Sequence, residues 1–280
     1  MQIVSACLAR DLPVYRITCE SLRQHLPDAD IHVITRKEDF PRFREACGSD
    51  LVLWDESSLL PEMTLKELKA MPFPFFPQGA GWYFQQFLKF AFVNVSNADE
   101  HYLIWDADTV LLRPIEFFDS SGRTLYTKAK EHHRPYFQTF ERLFGTPAAR
   151  EFSFISQHQV IEKAILRQML GEIETRYPDS RNWAWAIMDN LRGEGSNLFS
   201  EYETYGHYAK WKRPETMTFR DLEWTRNGEK IAGYPPDPAK LAMLSEDYSF
   251  AAFETFFSFK NRILRVMRKL MGKKVIENYS

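Results

Sequence analysis

The chain has 280 residues, of which 44% are hydrophobic and 15% aromatic, a composition typical of a folded globular protein rather than a disordered one. Lys and Arg total 36 against 38 Asp and Glu, so a formal charge of −2 provides no overall field that would attract nucleic acid. The three cysteines, Cys7, Cys19 and Cys47, form no CxxC pair, and an odd count in so long a chain does not indicate a disulfide framework.

The N-terminal segment carries no basic leader and no long apolar core, so no signal peptide is expected. No apolar run approaches the roughly 18 residues that a bilayer-spanning helix needs. The sequence therefore predicts a cytoplasmic protein, either soluble or attached peripherally to the inner membrane.

The first hundred residues alternate short apolar runs with amphipathic segments, in the manner of an α/β domain. Strands are predicted at 3–8, 31–35 and 51–54, and helical segments at 12–26 and around 40–46. This order predicts a parallel, doubly wound sheet.

Segment 71–81 contains three prolines and two glycines and is predicted to be an ordered loop. A helix is predicted over 81–93, with Gln85, Gln86 and Lys89 in one narrow stripe of an otherwise apolar helix. Such a helix is expected to be buried almost all round.

The pattern next predicts two short strands around an acidic turn at 101–115 and one further strand at 124–129. A strand or loop followed by a helix is predicted at 153–170, and two more helices at 183–191 and 198–208. Beyond about residue 210 the hydrophobic pattern is weaker and irregular.

The most informative motif is YLIWDADTVLL, in which four apolar residues lead to Asp106 and Asp108 at the end of a predicted central strand. In open α/β sheets, ligands bind at the carboxyl ends of the strands. Two carboxylates at i and i+2 can converge on one hard cation, and such a cation can bridge a diphosphate. The motif therefore indicates a divalent-metal site.

At this point the sequence resembles the nucleotide-sugar glycosyltransferases of the GT-A fold, and in particular an uncharacterised bacterial branch of them. The resemblance rests on four segments in this order: GWYFQQFLKF, YLIWDADTVLL, ISQHQVIEK and SEYETYGHY. The four together are more specific than any one of them, and the resemblance covers roughly residues 1–210. It implies a Rossmann-like, mostly parallel central sheet flanked by helices, and a metal motif about a hundred residues into the chain.

The resemblance also implies roles for individual residues in binding the donor. Asp108, and partly Asp106, would hold Mn²⁺ or Mg²⁺ on the donor diphosphate, with Asp106 also near the ribose. The loop of Ala9, Arg10 and Asp11 falls where such enzymes bind the base and ribose. An equally weighted alternative is a surface helix start with Asp11 as its N-cap.

The helix with the polar stripe lies beside the donor in this family. Lys89 and Gln85 are therefore predicted to line the pocket for the sugar and phosphates, although a solvent-facing stripe would look the same in the sequence.

SEYETYGHY offers two candidate bases for an inverting transfer, Glu201 and Glu203. A helix would point them about 200 degrees apart, so at most one faces the pocket, and Glu201 is preferred. The alternative is local: Ser200 caps a helix and Glu203 completes a capping box.

Two histidines are also candidates for the site. The resemblance implies that His207 closes the metal site as a third protein ligand, or touches the acceptor, and that His158 contacts the acceptor or the donor sugar. For each, a merely packed or solvated ring is the simpler explanation.

The last twenty residues hold six Lys or Arg and one Glu. The spacing predicts an amphipathic helix over 256–280, with basic residues on one arc, and this helix suits an anionic inner-membrane surface. Packing of its apolar face on the protein's own body explains the pattern equally well.

These observations predict one GT-A-like catalytic domain over 1–255, with a donor half of about 1–115 and an acceptor half of about 116–255, followed by the helical extension. The expected activity is metal-dependent transfer of a sugar from a nucleotide donor, a UDP-sugar ahead of others, to a glycan or lipid-linked acceptor in bacterial surface polysaccharide synthesis. One alternative is a haloacid-dehalogenase-type phosphohydrolase with Asp106 as nucleophile, since LIWDADTV fits its opening motif. Another is a non-catalytic carbohydrate-binding partner.

Overall fold

The structure is a computed structural model that describes residues 1–71, 77–95, 99–193 and 197–254. The strands are β1 (Gln2–Ala6), β2 (Asp30–Thr35), β3 (Val52–Asp55), β4 (His101–Trp105), β5 (Thr109–Leu111), β6 (Thr124–Thr127), β7 (His158–Glu162), β8 (Met217–Arg220), β9 (Trp224–Thr225) and β10 (Phe250–Ala252). The helices are α1 (Leu12–His25), α2 (Phe40–Cys47), α3 (Glu56–Leu59), α4 (Leu65–Ala70), α5 (Pro77–Ala91), α6 (Arg134–Phe144), α7 (Lys163–Arg176), α8 (Trp183–Asp189), α9 (Glu201–Lys212), α10 (Gly228–Ala232) and α11 (Pro238–Asp247).

The central sheet has five strands in the order β3-β2-β1-β4-β7. The first four run parallel, and β7 pairs antiparallel with β4. Residues 102–105 of β4 are fully buried because helices cover both faces of the sheet, which is why this strand reads as a continuous apolar run. The predicted mostly parallel sheet flanked by helices is confirmed.

Two smaller sheets complete the structure. One has the order β5-β10-β9, and the other pairs β6 with β8. Because the strands from the C-terminal region are only two to four residues long, they show no periodicity that a sequence can reveal. Their position matters for function, since β10 lies antiparallel beside β5 and brings the end of the described chain to the acidic turn.

The helix predicted to begin at residue 81 begins four residues earlier, at Pro77. Proline is tolerated in the first turn of a helix, where its missing N–H has no partner to lose, so it does not mark the end of the loop here. Residues 72–76 of the predicted loop and the predicted helix 256–280 lie outside the described residues. No helix within the described ranges is long and apolar enough to cross a membrane.

Candidate functional site

The acidic turn between β4 and β5 is anchored by backbone hydrogen bonds from two other segments. Asp106 N–H donates to the carbonyl of Gln157, just before β7, over 2.9 Å. Phe253 N–H, just after β10, donates to the carbonyl of Asp108 over 2.8 Å. The two aspartates are therefore held at the carboxyl end of β4 by backbone on both sides, as expected for a ligand site in an open α/β sheet.

Beneath this turn lies a cluster of three charged side chains. Nζ of Lys89 lies 2.5 Å from Oδ1 of Asp106 and 2.8 Å from Oε1 of Glu201. The Tyr202 hydroxyl donates to the same Asp106 oxygen over 2.8 Å. Burial alone would lower the pKa of Lys89, but the two carboxylates raise it above its ordinary value, so the side chain is an ammonium ion. Burial raises the pKa of Glu201, and Lys89 offsets part of that effect.

The helices α5 and α9 set the positions of this cluster. The Tyr102 hydroxyl donates to the backbone carbonyl of Lys89, and the Glu201 N–H donates to Oε1 of Gln86 over 2.9 Å. The polar stripe of α5 is thus buried at Gln86 and Lys89 and half-buried at Gln85, not solvent-facing. Lys89 thus belongs to the charged cluster at the acidic turn, and Gln86, the neighbour of Gln85, supplies the contact to α9. The roles predicted for Lys89 and Gln85 in donor binding stay predictions.

Asp108 lies in an environment that favours a bound cation. Burial, together with the negative charges of Asp106 and Glu254, raises the pKa of the Asp108 carboxyl to about 7. The pKa of Glu254 is also raised, first by burial. Carboxylates that destabilise one another in this way are the donor set whose repulsion a divalent cation relieves.

Within the part of the chain that the structure describes, no three His, Cys, Asp or Glu side chains form a cluster that could hold a metal ion. Mg²⁺ at phosphate-transferring sites is commonly held by one or two carboxylates and by the phosphates of the substrate. Asp106 and Asp108, directly after β4, are two carboxylates of the type that such a site uses.

The predicted donor loop forms a single 3₁₀ turn, Ala9–Asp11, directly after β1. Asp11 is the N-cap residue of α1, as the alternative predicted, although its side chain accepts no capping hydrogen bond. Burial and then the charges of Asp11 and Asp108 raise the pKa of Tyr234 to about 12. The charges of both Asp11, in the turn that also carries Arg10, and Asp108, in the acidic turn, therefore act on Tyr234.

Glu203 and His207 lie on another side of α9 from Glu201. The Glu203 carboxylate accepts hydrogen bonds from Ser153 Oγ over 2.5 Å and Phe154 N–H over 3.2 Å. Nε2 of His207 lies 3.0 Å from Oε2 of Glu203 without hydrogen-bond alignment, and its ring packs against Phe154 and two other phenylalanines. The structure brings His207 to Glu203 and not to the aspartates, because six residues along a helix turn a side chain to a different face.

Ser200 caps α9 by accepting from the Glu203 N–H over 3.3 Å, as the local alternative predicted. The Glu203 carboxylate is engaged elsewhere, so the capping box is not formed.

His158 lies in the core beside the site. Its ring stacks on Trp105, its Nδ1 lies 3.0 Å from the carbonyl of Ser156, and its Nε2 lies 3.3 Å from Thr127 Oγ1. Burial and the charge of Arg220 lower the pKa of His158 to about 3, so the ring is neutral. The residue is 3% exposed, and the contacts that the structure shows for its ring are packing contacts within the core. Its contact with a sugar stays a prediction.

Four residues of the site were not found from the sequence: Gln157, Tyr202, Arg226 and Glu254. Gln157 and Tyr202 each lie next to a predicted site residue, but Gln157 precedes β7 in an irregular segment and Tyr202 lies in α9, and neither belongs to a motif that marks it in the sequence. Arg226 and Glu254 lie in the C-terminal region, where no motif marks them.

A protein-family model described as a family of unknown function, DUF6492, matches residues 3–234. The chain belongs to this family. No curated protein matches it significantly.

Solved structures of similar fold are glycosyltransferases. Mouse xyloside xylosyltransferase 1, in its apo form, is 14% identical, with 91% of this chain and 98% of that chain covered and a TM-score of 0.50. The galactosyltransferase LgtC, in complex with donor and acceptor sugar analogues, is 12% identical, with 90% and 87% covered and a TM-score of 0.47. The likeness to the mouse protein shows that this member of DUF6492 has the GT-A fold, which confirms the predicted fold class.

Proposed function

We propose that this protein is a metal-dependent glycosyltransferase that moves a sugar from a nucleoside-diphosphate donor to a glycan or lipid-linked acceptor. The observation that carries the proposal is the acidic turn. Asp106 and Asp108 end a central strand of a GT-A fold, and the repulsion at Asp108 is of the kind that a divalent cation relieves.

We assign the residues around the turn different roles in binding the donor. Asp108, with Asp106, would hold Mn²⁺ or Mg²⁺, and the ion would supply Lewis-acid stabilisation of the departing diphosphate. Lys89 and Tyr202 fix the Asp106 carboxylate from below. We propose that the 3₁₀ turn Ala9–Asp11, which follows β1, binds the base and ribose.

Of the two predicted bases, only Glu201 contacts this cluster. A general base must reach the hydroxyl proton that it removes. The Glu201 side chain is 5% exposed and bonded to Lys89, so we propose that it holds Lys89 in place and acts on the reaction through the charge of that ammonium. The variant Glu201→Gln tests both this role and the acceptor-deprotonating role predicted for Glu201.

The phosphohydrolase alternative would use Asp106 as its nucleophile, in a motif that such enzymes carry near the N-terminus. Here the motif follows β4, about a hundred residues into a chain with the GT-A fold, and this position favours glycosyl transfer.

We place the reaction in bacterial surface polysaccharide synthesis or a similar glycoconjugate pathway, in the cytoplasm and with a peripheral contact to the inner membrane. The four-segment resemblance supports the pathway, and the basic C-terminal sequence supports the membrane contact. We further propose that residues 1–255 form one catalytic domain with donor and acceptor halves, followed by the basic extension.

The donor site is tested by thermal-shift titration of the protein with UDP, GDP, CMP and ADP, each with and without Mn²⁺. A ligand at about a hundred times its dissociation constant stabilises a protein by roughly 2.7 kcal/mol, which shifts the Tm by several degrees. We expect a metal-dependent shift with one nucleotide. Asp108→Asn should abolish it, whereas Asp221→Asn, on the exposed Asp221 that pairs with Lys128, should retain it.

The same pair of variants tests turnover. Asp108→Asn removes a metal ligand while keeping the size of the side chain, so we expect the transfer rate to fall on the order of 100-fold or more. Full activity of Asp108→Asn in the presence of excess chelator would refute the metal-dependent mechanism. No shift with any nucleotide for the wild-type protein would instead refute donor binding itself.

A further inference from the structure

Gln157 has an unusual backbone conformation for its position beside the acidic turn. Its φ angle is 66°, and among the described residues it is the one non-glycine residue with a positive φ. The left-handed region is unfavourable for a residue with a Cβ atom and persists only where the surroundings impose it. The residue is 4% exposed, and its carbonyl accepts the Asp106 N–H. The strained residue is thus bonded directly to the first aspartate of the motif.

The Gln157 side chain forms a second link to the same aspartate. Its amide has hydrogen-bond partners in one orientation, in which Nε2 donates to Oδ2 of Asp106 over 3.0 Å. In that orientation Oε1 accepts from Nε and Nη2 of Arg226 over 3.1 and 3.0 Å. The two N–H groups of the guanidinium converge on one oxygen and so fix both the position and the direction of the amide.

Arg226 also forms ion pairs with two carboxylates. Its Nη1 lies 2.7 Å from Oε2 of Glu131, in the segment between β6 and α6. Its Nε lies 3.5 Å from Oε1 of Glu254, directly after β10. Arg226 therefore joins three separate segments of the chain, and its guanidinium has little freedom to move away from Gln157.

These contacts leave the Asp106 carboxylate held at both oxygens. Lys89 and Tyr202 donate to Oδ1, and Gln157 donates to Oδ2. We propose that Gln157 is a positioning residue, which fixes the rotamer of Asp106 for the metal-bound donor and is itself oriented by Arg226. This inference rests on the proposed function, since it explains how the acidic turn is kept ready for its ligand.

The positioning role predicts that activity and stability separate in a matched pair of variants. Gln157→Ala and Gln157→Gly both remove the amide, but alanine must keep the positive φ with a Cβ atom, whereas glycine adopts it without strain. We expect the glycine variant to melt at a higher temperature than the alanine variant. Both should lose activity by a similar factor of about 10–100-fold, the usual effect of removing a group that orients a metal ligand.

A third variant separates charge from shape. Gln157→Glu keeps the length of the side chain and can still accept from Arg226, but it loses the N–H that donates to Asp106 and places a second carboxylate beside it. We expect it to fold and to have activity as low as that of the alanine variant. Arg226→Lys retains the positive charge without the planar fork, so it should lose part of the activity. Lys230→Ala removes another cation four residues away and is the unaffected control.

The measurements are kcat and KM for the donor, Tm, and the Mn²⁺ concentration that gives half-maximal activity. We expect that concentration to rise about 10-fold in both amide-deleted variants, while the donor KM changes less than kcat. Activity that follows Tm, with Gln157→Gly close to wild type and only Gln157→Ala impaired, would overturn the positioning role and leave Gln157 as a strained structural residue.

A wild-type protein that binds neither Mn²⁺ nor any nucleotide overturns the proposed function, and the positioning role falls with it. A wild-type protein that binds and transfers, with all Gln157 variants equally active, overturns the positioning role alone. The two failures therefore give different results.

Discussion

Glu201 and Glu203 stand two residues apart in one helix, yet they belong to different parts of the molecule. Glu201 bonds to Lys89 under the acidic turn, and Glu203 binds Ser153 and the Phe154 N–H away from it. The angle between the two side chains could be predicted from helical geometry alone. Their partners could not, because Ser153 and Phe154 lie in an irregular segment about fifty residues away, whose path the sequence does not indicate.

This difference gives a prediction for a pair of variants at the residue scale. Glu201→Gln removes a charge from the cluster that holds Asp106, so we expect the transfer rate to fall about 10–100-fold with little change in donor affinity. Glu203→Gln replaces an oxygen that accepts from a buried donor with an amide nitrogen that cannot accept, so we expect unfolding free energy to fall by about 1–3 kcal/mol.

The two effects are separated by measuring kcat and chemical denaturation on both variants. Glu203→Gln should retain near wild-type kcat per folded molecule at a temperature well below its Tm. Loss of turnover in Glu203→Gln without loss of stability would return Glu203 to the list of candidate bases and contradict the placement of Glu201 as the functional carboxylate.

At the scale of whole elements, α9 carries Glu201 and Tyr202 in its first turn and must lie close to the segment before β7. Gly206 allows this approach, because a Cβ atom built there would lie 2.2 Å from Cγ of Phe154. The helix pattern of SEYETYGHY could be predicted from the sequence, but this close contact could not. A glycine inside a helix gives no sign of which ring packs against it.

Gly206→Ala should therefore destabilise the protein by about 1–3 kcal/mol, the usual cost of overpacking a core, and should lower activity by displacing α9 from Lys89. Gly171→Ala in α7 is the matched control, since no atom lies within 4 Å of the Cβ position there. Alanine favours helix over glycine by up to about 1 kcal/mol, so that variant should be slightly more stable. Equal Tm changes in the two variants, measured by differential scanning calorimetry, would show that α9 can move away from Phe154 at no cost.

At the scale of the whole molecule, a mostly parallel sheet could be predicted from the alternation of strands and helices, whereas the fold of the C-terminal region could not. The strands β8, β9 and β10 are short and pair with distant partners, so only the folded chain reveals that residue 254 returns to the acidic turn. The described part of the chain therefore ends next to the proposed donor site. A membrane contact made by the basic final segment would place the site near a lipid-linked acceptor.

The membrane contact is tested in the full-length chain by reversing three of the basic charges, Arg262→Glu, Arg265→Glu and Arg268→Glu together. Each basic residue near an anionic surface contributes about 1 kcal/mol, so binding to phosphatidylglycerol vesicles should weaken on the order of 100-fold. The control reverses three exposed charges elsewhere, Lys37→Glu, Arg44→Glu and Lys66→Glu, and should bind like wild type.

The competing explanation for the basic segment is packing of its apolar face on the protein's own surface. Helices α10 and α11 carry exposed apolar side chains that such a face could cover, since Ile231 is 43% and Met243 68% exposed. Under that explanation the wild-type protein does not sediment with anionic vesicles at low salt. Replacing Met243 with Glu would then lower the Tm, because the substituted charge would lie against the apolar face of the segment. Under the membrane explanation, Met243→Glu leaves the Tm unchanged, and vesicle binding by the wild type falls steeply as salt is added, because screening weakens the attraction of Arg and Lys to the lipid surface.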